Sequence, residues 1–191
     1  MTRLQNPQLH IQTILRTTLM KHWQKHLFVT ATLLALTASI VFGSVVQDKP
    51  IVITGADLTR LVPSSYYFKG QSAPTQMRNT AAARFGTDRY VIVGLVDTSG
   101  YSAEIRAKYE GFLITDSPIK VNGEALPTGA YGFGFSNDGK MRVMDLGGND
   151  VLSVSSTNDK ELRRPRPLMM TRSDNDIRFY SRRDYVVITA N

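Results

Sequence analysis

The feature that most limits the possible folds is the punctuation of residues 48–191. Apolar stretches there are short, carry β-branched or aromatic side chains, and end at turn signals roughly every 8–12 residues. Runs that brief cannot supply the repeated apolar face a long helix needs, and they read instead as strands. Strands are predicted near Ile51–Thr54, Tyr66–Phe68, Asn79–Phe85, Tyr90–Asp97, Gly111–Thr115 and Ala130–Phe135. Five more are predicted near Met141–Asp145, Val151–Ser155, Leu168–Thr171, Ile177–Tyr180 and Tyr185–Thr189. Between them lie Gly86-Thr87-Asp88, Asn122-Gly123, Asn137-Asp138-Gly139 and Asp174-Asn175. Asn-Gly accepts the positive φ of a type I′ hairpin, so Val121 and Glu124 should face each other across a tight turn. Helical signal is confined to Ala56–Val62, stopped by Pro63, to Ser102–Tyr109 with Ser102 as cap, and to Asn158–Arg163. The expected fold is all-β and mainly antiparallel, a β-sandwich or small β-barrel with one to three short helices.

Ahead of this region the chain changes character. From Leu27 to Phe42 it has no charge, Pro or Gly; Arg3, Arg16, Lys21 and Lys25 precede that run, and no acid occurs before Asp48. A basic flank, an apolar core and the small residues Gly43 and Ser44 form the pattern of an export signal, cleaved after Gly43. Counted from Met20 the segment has the usual signal-peptide proportions, which makes Met20 an alternative start. An uncleaved anchor and an organellar transit peptide are the other readings, since Leu27–Val46 could just span ~30 Å of hydrocarbon. The positive flank would keep the N-terminal end cytoplasmic, so signal and anchor alike put the rest on the far side. Residues 1–43 are therefore expected to be a leader and 44–191 a single exported β-rich domain, periplasmic, extracellular or anchored on the outer side of an inner membrane. About 145 residues suffice for one core that buries roughly 68–70 % of the unfolded surface.

Removing the leader moderates the charge. It holds four of the 23 Lys and Arg and none of the 16 acids, leaving 19 basic against 16 acidic residues, a net of +3. Nothing in that balance demands a nucleic-acid partner. The chain has no Cys, and His10, His22 and His26 all fall in the leader. A domain without either residue excludes Ser-His-Asp and Cys-His catalysis and nearly every zinc or copper site. No metal or cofactor is expected.

Gly123-Glu124-Ala125-Leu126-Pro127-Thr128-Gly129-Ala130-Tyr131 resembles a G-x-x-L-P-x-G-x-Y hairpin that recurs in uncharacterised exported bacterial β-proteins. In such a hairpin Pro127 presets φ for the turn and Gly129 supplies positive φ before the next strand. The resemblance implies an exported bacterial β-domain and assigns no functional residue.

Several constellations could carry chemistry. Tyr131, Phe133 and Phe135 alternate with Ala130, Gly132 and Gly134, which puts aromatics on one face of a strand and a nearly bare backbone on the other. That surface is either a core strand crossed by another aromatic or the wall of a ligand cavity. Val93–Gly100 resembles the apolar-Asp-Thr-Gly loop of aspartic proteases, but Ser99 stands where the glycine belongs and no second copy exists. The alternative is a strand ending in an Asx turn at Asp97. Without His, acid–base work would fall to carboxylates as in glycoside hydrolysis, from Asp97, Glu104, Glu110, Asp116 and Asp145. Asp97, Glu110 and Asp116 are the candidates, with nothing in the sequence to pair Glu110 or Asp116. Asp145–Asp150 and Ser173–Asp176 offer oxygen ligands for calcium but lack the full spacing of a recognised loop.

Arg163-Arg164-Pro165-Arg166-Pro167 is the one local basic run. Proline keeps it extended, and three guanidiniums could engage the phosphates or carboxylates of an anionic envelope polymer or lipid, with Arg182 and Arg183 adding to the patch. The alternative is a solvated connection neutralised by Asp159 and Glu161. The leading expectation is a non-enzymatic exported domain that binds or packs in the cell envelope or outside the cell. Its contact surfaces would be Arg163, Arg164 and Arg166 and the strand of Tyr131, Phe133 and Phe135. A carboxylate hydrolase and a structural or assembly role are the alternatives. Contact with a membrane is expected only through the N-terminal segment.

Overall fold

A computed structural model describes residues 49–190; the leader, Met20 and the apolar run 27–42 lie outside the described residues. Fourteen strands and two short helices follow one another as β1 (Ile51–Ile53), α1 (Gly55–Leu61), β2 (Ser65–Phe68), β3 (Gln71–Phe85), β4 (Arg89–Val96), α2 (Ala103–Arg106) and β5 (Gly111–Thr115). Then come β6 (Ile119–Val121), β7 (Glu124–Leu126), β8 (Gly129–Ser136), β9 (Lys140–Met144) and β10 (Asp150–Ser155). The chain closes with β11 (Thr157–Asn158), β12 (Arg166–Ser173), β13 (Asp176–Arg182) and β14 (Asp184–Ala190). Among the described residues no helix is long and apolar enough to cross a membrane.

Every strand pairing is antiparallel, and the strands form two packed sheets. The first runs β1-β3-β4-β5-β8-β9-β10, with β2 on the leading half of β3; the second runs β12-β13-β14-β6-β7, with β11 on β14. Among the described residues no ladder joins the sheets, so the architecture is sandwich-like rather than a closed barrel. Alternation does the sorting. Val91, Val93, Leu113, Phe133, Met141 and Val143 of the first sheet meet Ile119, Val121, Ile177, Phe179, Val186 and Ile188 of the second in one core. Phe133 packs edge-on against both Phe135 and Phe179, with ring centroids 6.3 and 5.1 Å apart.

The first sheet also buries its outer face. The β2–β3 hairpin and the 101–109 segment fold over it, and Tyr66, Phe68, Tyr101, Tyr109, Phe112 and Met144 form a second core there. Phe68 stacks on Tyr109 at 3.9 Å between centroids and Tyr66 on Phe112 at 5.0 Å. The glycines of β8 make this possible. A Cβ on Gly132 would lie 2.5 Å from Phe68 Cε2, and one on Gly134 would lie 2.2 Å from the Lys108 carbonyl oxygen. Ring and strap therefore rest directly on the bare backbone.

Several local expectations change. Val121 and Glu124 do face each other, with Asn122 at φ 48° and Gly123 at φ 88°. Ser102 does cap α2, accepting from Ile105 N at 3.4 Å. Asn158–Arg163, however, is no helix: Thr157 and Asn158 pair with Tyr185 and Asp184 of β14, and Asn158 Nδ2 donates to Asp184 at 2.7 Å. Asn and Asp side chains offering such bonds compete with helix formation. Nor is the Leu126–Gly129 segment a hairpin. It carries the chain from the second sheet to the first, and Gly129 is not at positive φ. Its lack of a Cβ matters for space instead, since a Cβ there would come within 2.8 Å of the Tyr131 hydroxyl. That hydroxyl donates to Pro127 O at 3.0 Å and pins the crossover.

Candidate functional site

The acids named as catalytic candidates are distributed as structural acceptors. Asp97 accepts from Ser99 N at 2.9 Å in an Asx turn, and that backbone bond holds its pKa below the usual carboxylate value. A general acid needs the opposite shift. Asp116 accepts from Tyr90 N at 2.8 Å where β4 meets β5. Glu104 lies exposed in the first turn of α2.

Glu110 is not unpaired, contrary to expectation. Its carboxylate accepts from Phe135 N at 3.2 Å and Ser181 Oγ at 3.5 Å, and it meets Arg182 Nη1 at 3.4 Å. Because Glu110 leads into β5 and Arg182 ends β13, this carboxylate ties the first sheet to the second. Asp145 closes its own loop, accepting from Asn149 N and Nδ2 at 2.9 Å each; these bonds, the side-chain one foremost, lower its pKa. Asp150 lies 3.7 Å from Arg142. Asp174, at φ 53°, and Asn175 make the turn between β12 and β13. Among the described residues no three His, Cys, Asp or Glu side chains gather where they could hold a metal.

The aromatic strand sits inside. Phe133 has no exposed surface, Tyr131 and Phe135 are partly buried against the same core, and the glycine face is covered by Phe68 and the Lys108–Tyr109 backbone.

The basic run is placed differently. Arg163, Arg164 and Arg166 are exposed and line one shallow groove of about 550 Å³ with Leu162, Met169 and Thr171, beside β12. Among the described residues none of their three guanidiniums makes an ion pair or a hydrogen bond. The acids expected to neutralise them make no ion pair with them among the described residues. Asp159 accepts from Tyr180 Oη at 3.0 Å and Glu161 N at 3.1 Å, and Glu161 has no ion pair among the described residues.

Arg182 and Arg183 do not simply enlarge the patch. Arg182 is committed to Glu110. Arg183 is a clasp: its Nη1 lies 3.2, 3.2 and 2.8 Å from the carbonyl oxygens of Asp159, Lys160 and Leu162. One guanidinium thereby shapes the loop that delivers Arg163 and Arg164 to the groove.

Two residues with no local sequence signal join the site. Where β3 passes from β2 to β4, its pairing register shifts between Thr75 and Thr80. Gln76 Nε2 donates to Val96 O, Asn79 Nδ2 to Gln76 Oε1, and Thr80 Oγ1 to Met77 O, which fastens the bulge. Met77 and Arg78 lie on this bulge, exposed, and line a second depression of about 280 Å³ together with Arg166 and Met169. β12 carries its own register shift, between Arg166 and Met169. Bulges re-aim side chains, and they gather beside functional sites. No sequence signal marked the first one, since polar residues run through the whole leading half of β3.

A third depression, of about 440 Å³, lies on the other side of β1, where the Asp57–Arg60 pair of α1 stands near Arg84 and Tyr90. Against known proteins, the chain matches no family model, no curated protein and no solved structure.

Proposed function

We propose that residues 44–191 form an exported, non-enzymatic binding domain whose recognition surface is the arginine groove beside β12. The ligand class is anionic, bearing phosphate or carboxylate groups such as those of envelope polymers or lipids. The observation that carries this reading is that Arg163, Arg164 and Arg166 converge on one groove with no ion pair among the described residues. Arg60, Arg142 and Arg182 are matched to carboxylates, and because Arg78, Arg84 and Arg172 also lack an ion pair among the described residues, it is the clustering of the three that sets the run apart. Three neighbouring guanidiniums left unmatched repel one another, and an incoming anion relieves that repulsion. Planar guanidinium also suits phosphate and carboxylate geometry better than lysine does.

A change of all three arginines to Gln tests the proposal. Binding of inorganic polyphosphate, of an anionic polysaccharide and of phosphatidylglycerol vesicles would be measured by sedimentation across a salt series. Binding should weaken with salt, because exposed charges are screened over roughly 8–10 Å at physiological ionic strength. The variant should lose binding while stability stays within about 0.5 kcal/mol, as is usual for surface positions. Binding that survives the triple change would place recognition elsewhere. Unfolding of the variant would mean that the arginines are structural.

A further inference from the structure

The two depressions share Arg166, Met169 and Met170, so they form one trough with unlike ends. One end carries Arg163 and Arg164. The other is lined by Val52, Ile53, Leu58, Met77 and Leu168, with Arg78 and Arg166 as its cations. A plain polyanion would leave the apolar part of the second end unused. At the second end Met77 is 42 % exposed, among the few large exposed hydrophobic residues, while Val52, Ile53 and Leu58 are partly buried and Leu168 forms the buried floor. Two bulges, fixed by side-chain bonds in β3 and by the register shift in β12, turn these groups into the same trough. The arginine end, about 550 Å³, falls within the roughly 300–1,000 Å³ of small-ligand sites, and the apolar end, about 280 Å³, lies just below it. Methionine lining is adaptable and accommodates flexible apolar ligands.

From this we infer that the trough binds a single-chain, phosphate-headed amphiphile. The phosphate sits among Arg163, Arg164 and Arg166, and the alkyl chain lies against Met169, Met77 and Leu58. The inference rests on the arginine groove being an anion site, and it names the ligand of that site as a monomeric lipid rather than a polymer. Charge complementarity selects the head, and the apolar continuation past Met169 selects the tail.

The experiment is calorimetric titration of the full chain with octyl, dodecyl and hexadecyl phosphate below their micelle-forming concentrations, with inorganic polyphosphate as the tail-less comparator. Dodecyl phosphate should bind at least about tenfold more tightly than octyl phosphate, since each buried methylene favours burial strongly. Met77→Gln should remove most of that gain and Met77→Glu nearly all of it. Met77→Gln adds no charge and should leave polyphosphate binding unaltered, whereas Met77→Glu, beside Arg78 and Arg166, should weaken it as well; Met77 is exposed enough for both variants to fold. Equal affinity for all three alkyl phosphates, with polyphosphate still bound, overturns the inference and leaves the arginine groove standing. A gain with chain length that ignores both Met77 variants overturns it too, by placing the tail elsewhere, as does binding confined to micelles or vesicles. Loss of all binding, or full binding by the triple Arg→Gln variant, removes the arginine reading and the inference with it.

Discussion

Gly134→Ala tests whether the glycine face of β8 is packed or is a ligand surface. A Cβ at this position would lie 2.2 Å from Lys108 O and 2.8 Å from Lys108 C, both backbone atoms. Ordinary contact begins near 3.4 Å, so the strap must retreat by about 1.2 Å, the difference between 3.4 and 2.2 Å. It has little freedom to do so. Tyr109 is 1 % exposed and stacked on Phe68 at 3.9 Å, and Glu110 N donates to Phe133 O at 2.8 Å. Overpacking in such a setting costs about 1–3 kcal/mol, and a backbone obstacle argues for the upper part, about 2–3 kcal/mol. For a chain of this size each kcal/mol lowers Tm by about 2–4 °C, so a fall of about 4–12 °C is expected. Gly100→Ala is the control: its nearest neighbour would be Gln71 at 4.0 Å, and it should be neutral within about 0.5 kcal/mol. Thermal melts followed by near-ultraviolet circular dichroism would read both. A Gly134→Ala melt within about 1 °C of the parent would refute the packed strap and reopen the cavity reading of Gly132 and Gly134.

Arg183→Gln removes contacts to three carbonyls and should cost about 1.5–3 kcal/mol in urea unfolding, with faster proteolysis between residues 159 and 165; unchanged values would show that the clasp is not needed. Stability should be nearly flat between about pH 5 and 8, because no His or Cys occurs in residues 49–190. On the acid side the pKa values of Asp97, Asp138 and Asp145 are lowered from 3.8, chiefly by bonds from Ser99 N, the Ser136 side chain and the Asn149 side chain respectively. The unfolded chain then binds protons first, so this contribution is complete above 3.8 and is lost as pH falls through the lowered folded values. A urea midpoint that moves steeply near pH 6–7 would contradict this account. A fusion of residues 20–60 to a reporter active only outside the cytoplasm should give activity, and cytoplasmic retention would defeat the export reading.

Local chemistry was the legible part of this molecule. Short apolar runs rich in β-branched and aromatic residues at 90–96, 111–115 and 177–180 marked strands, because they end at turn signals too soon to be helices. Asn122-Gly123 marked its hairpin because few other pairs tolerate consecutive positive φ. The two halves of β3 illustrate the limit. Asn79–Phe85 was visible, whereas Gln71–Arg78 was not, since its polar residues are organised by a bulge and by bonds to Val96 rather than by an apolar face. Likewise β6 and β7 are only three residues each, too short for a period to show.

The candidate site divides in the same way. Arg163, Arg164 and Arg166 are adjacent in sequence, so their clustering was legible as composition. Whether acids neutralise them was not, because Asp159 is claimed by Tyr180, which lies two strands onward. Glu110 is the converse case: it looked solitary, and its partners Phe135, Ser181 and Arg182 arrive from other strands and the opposite sheet. The sequence by itself determined the β class, the positions of most strands and turns, and the absence of His and Cys chemistry from residues 49–190, because these depend on near neighbours or on composition. Tertiary structure alone decided sandwich over barrel, packed glycines on β8, and the meeting of Met77 and Arg78 with Arg166 and Met169. Each of these depends on which distant strands lie side by side, and burial, not local preference, selects that pairing.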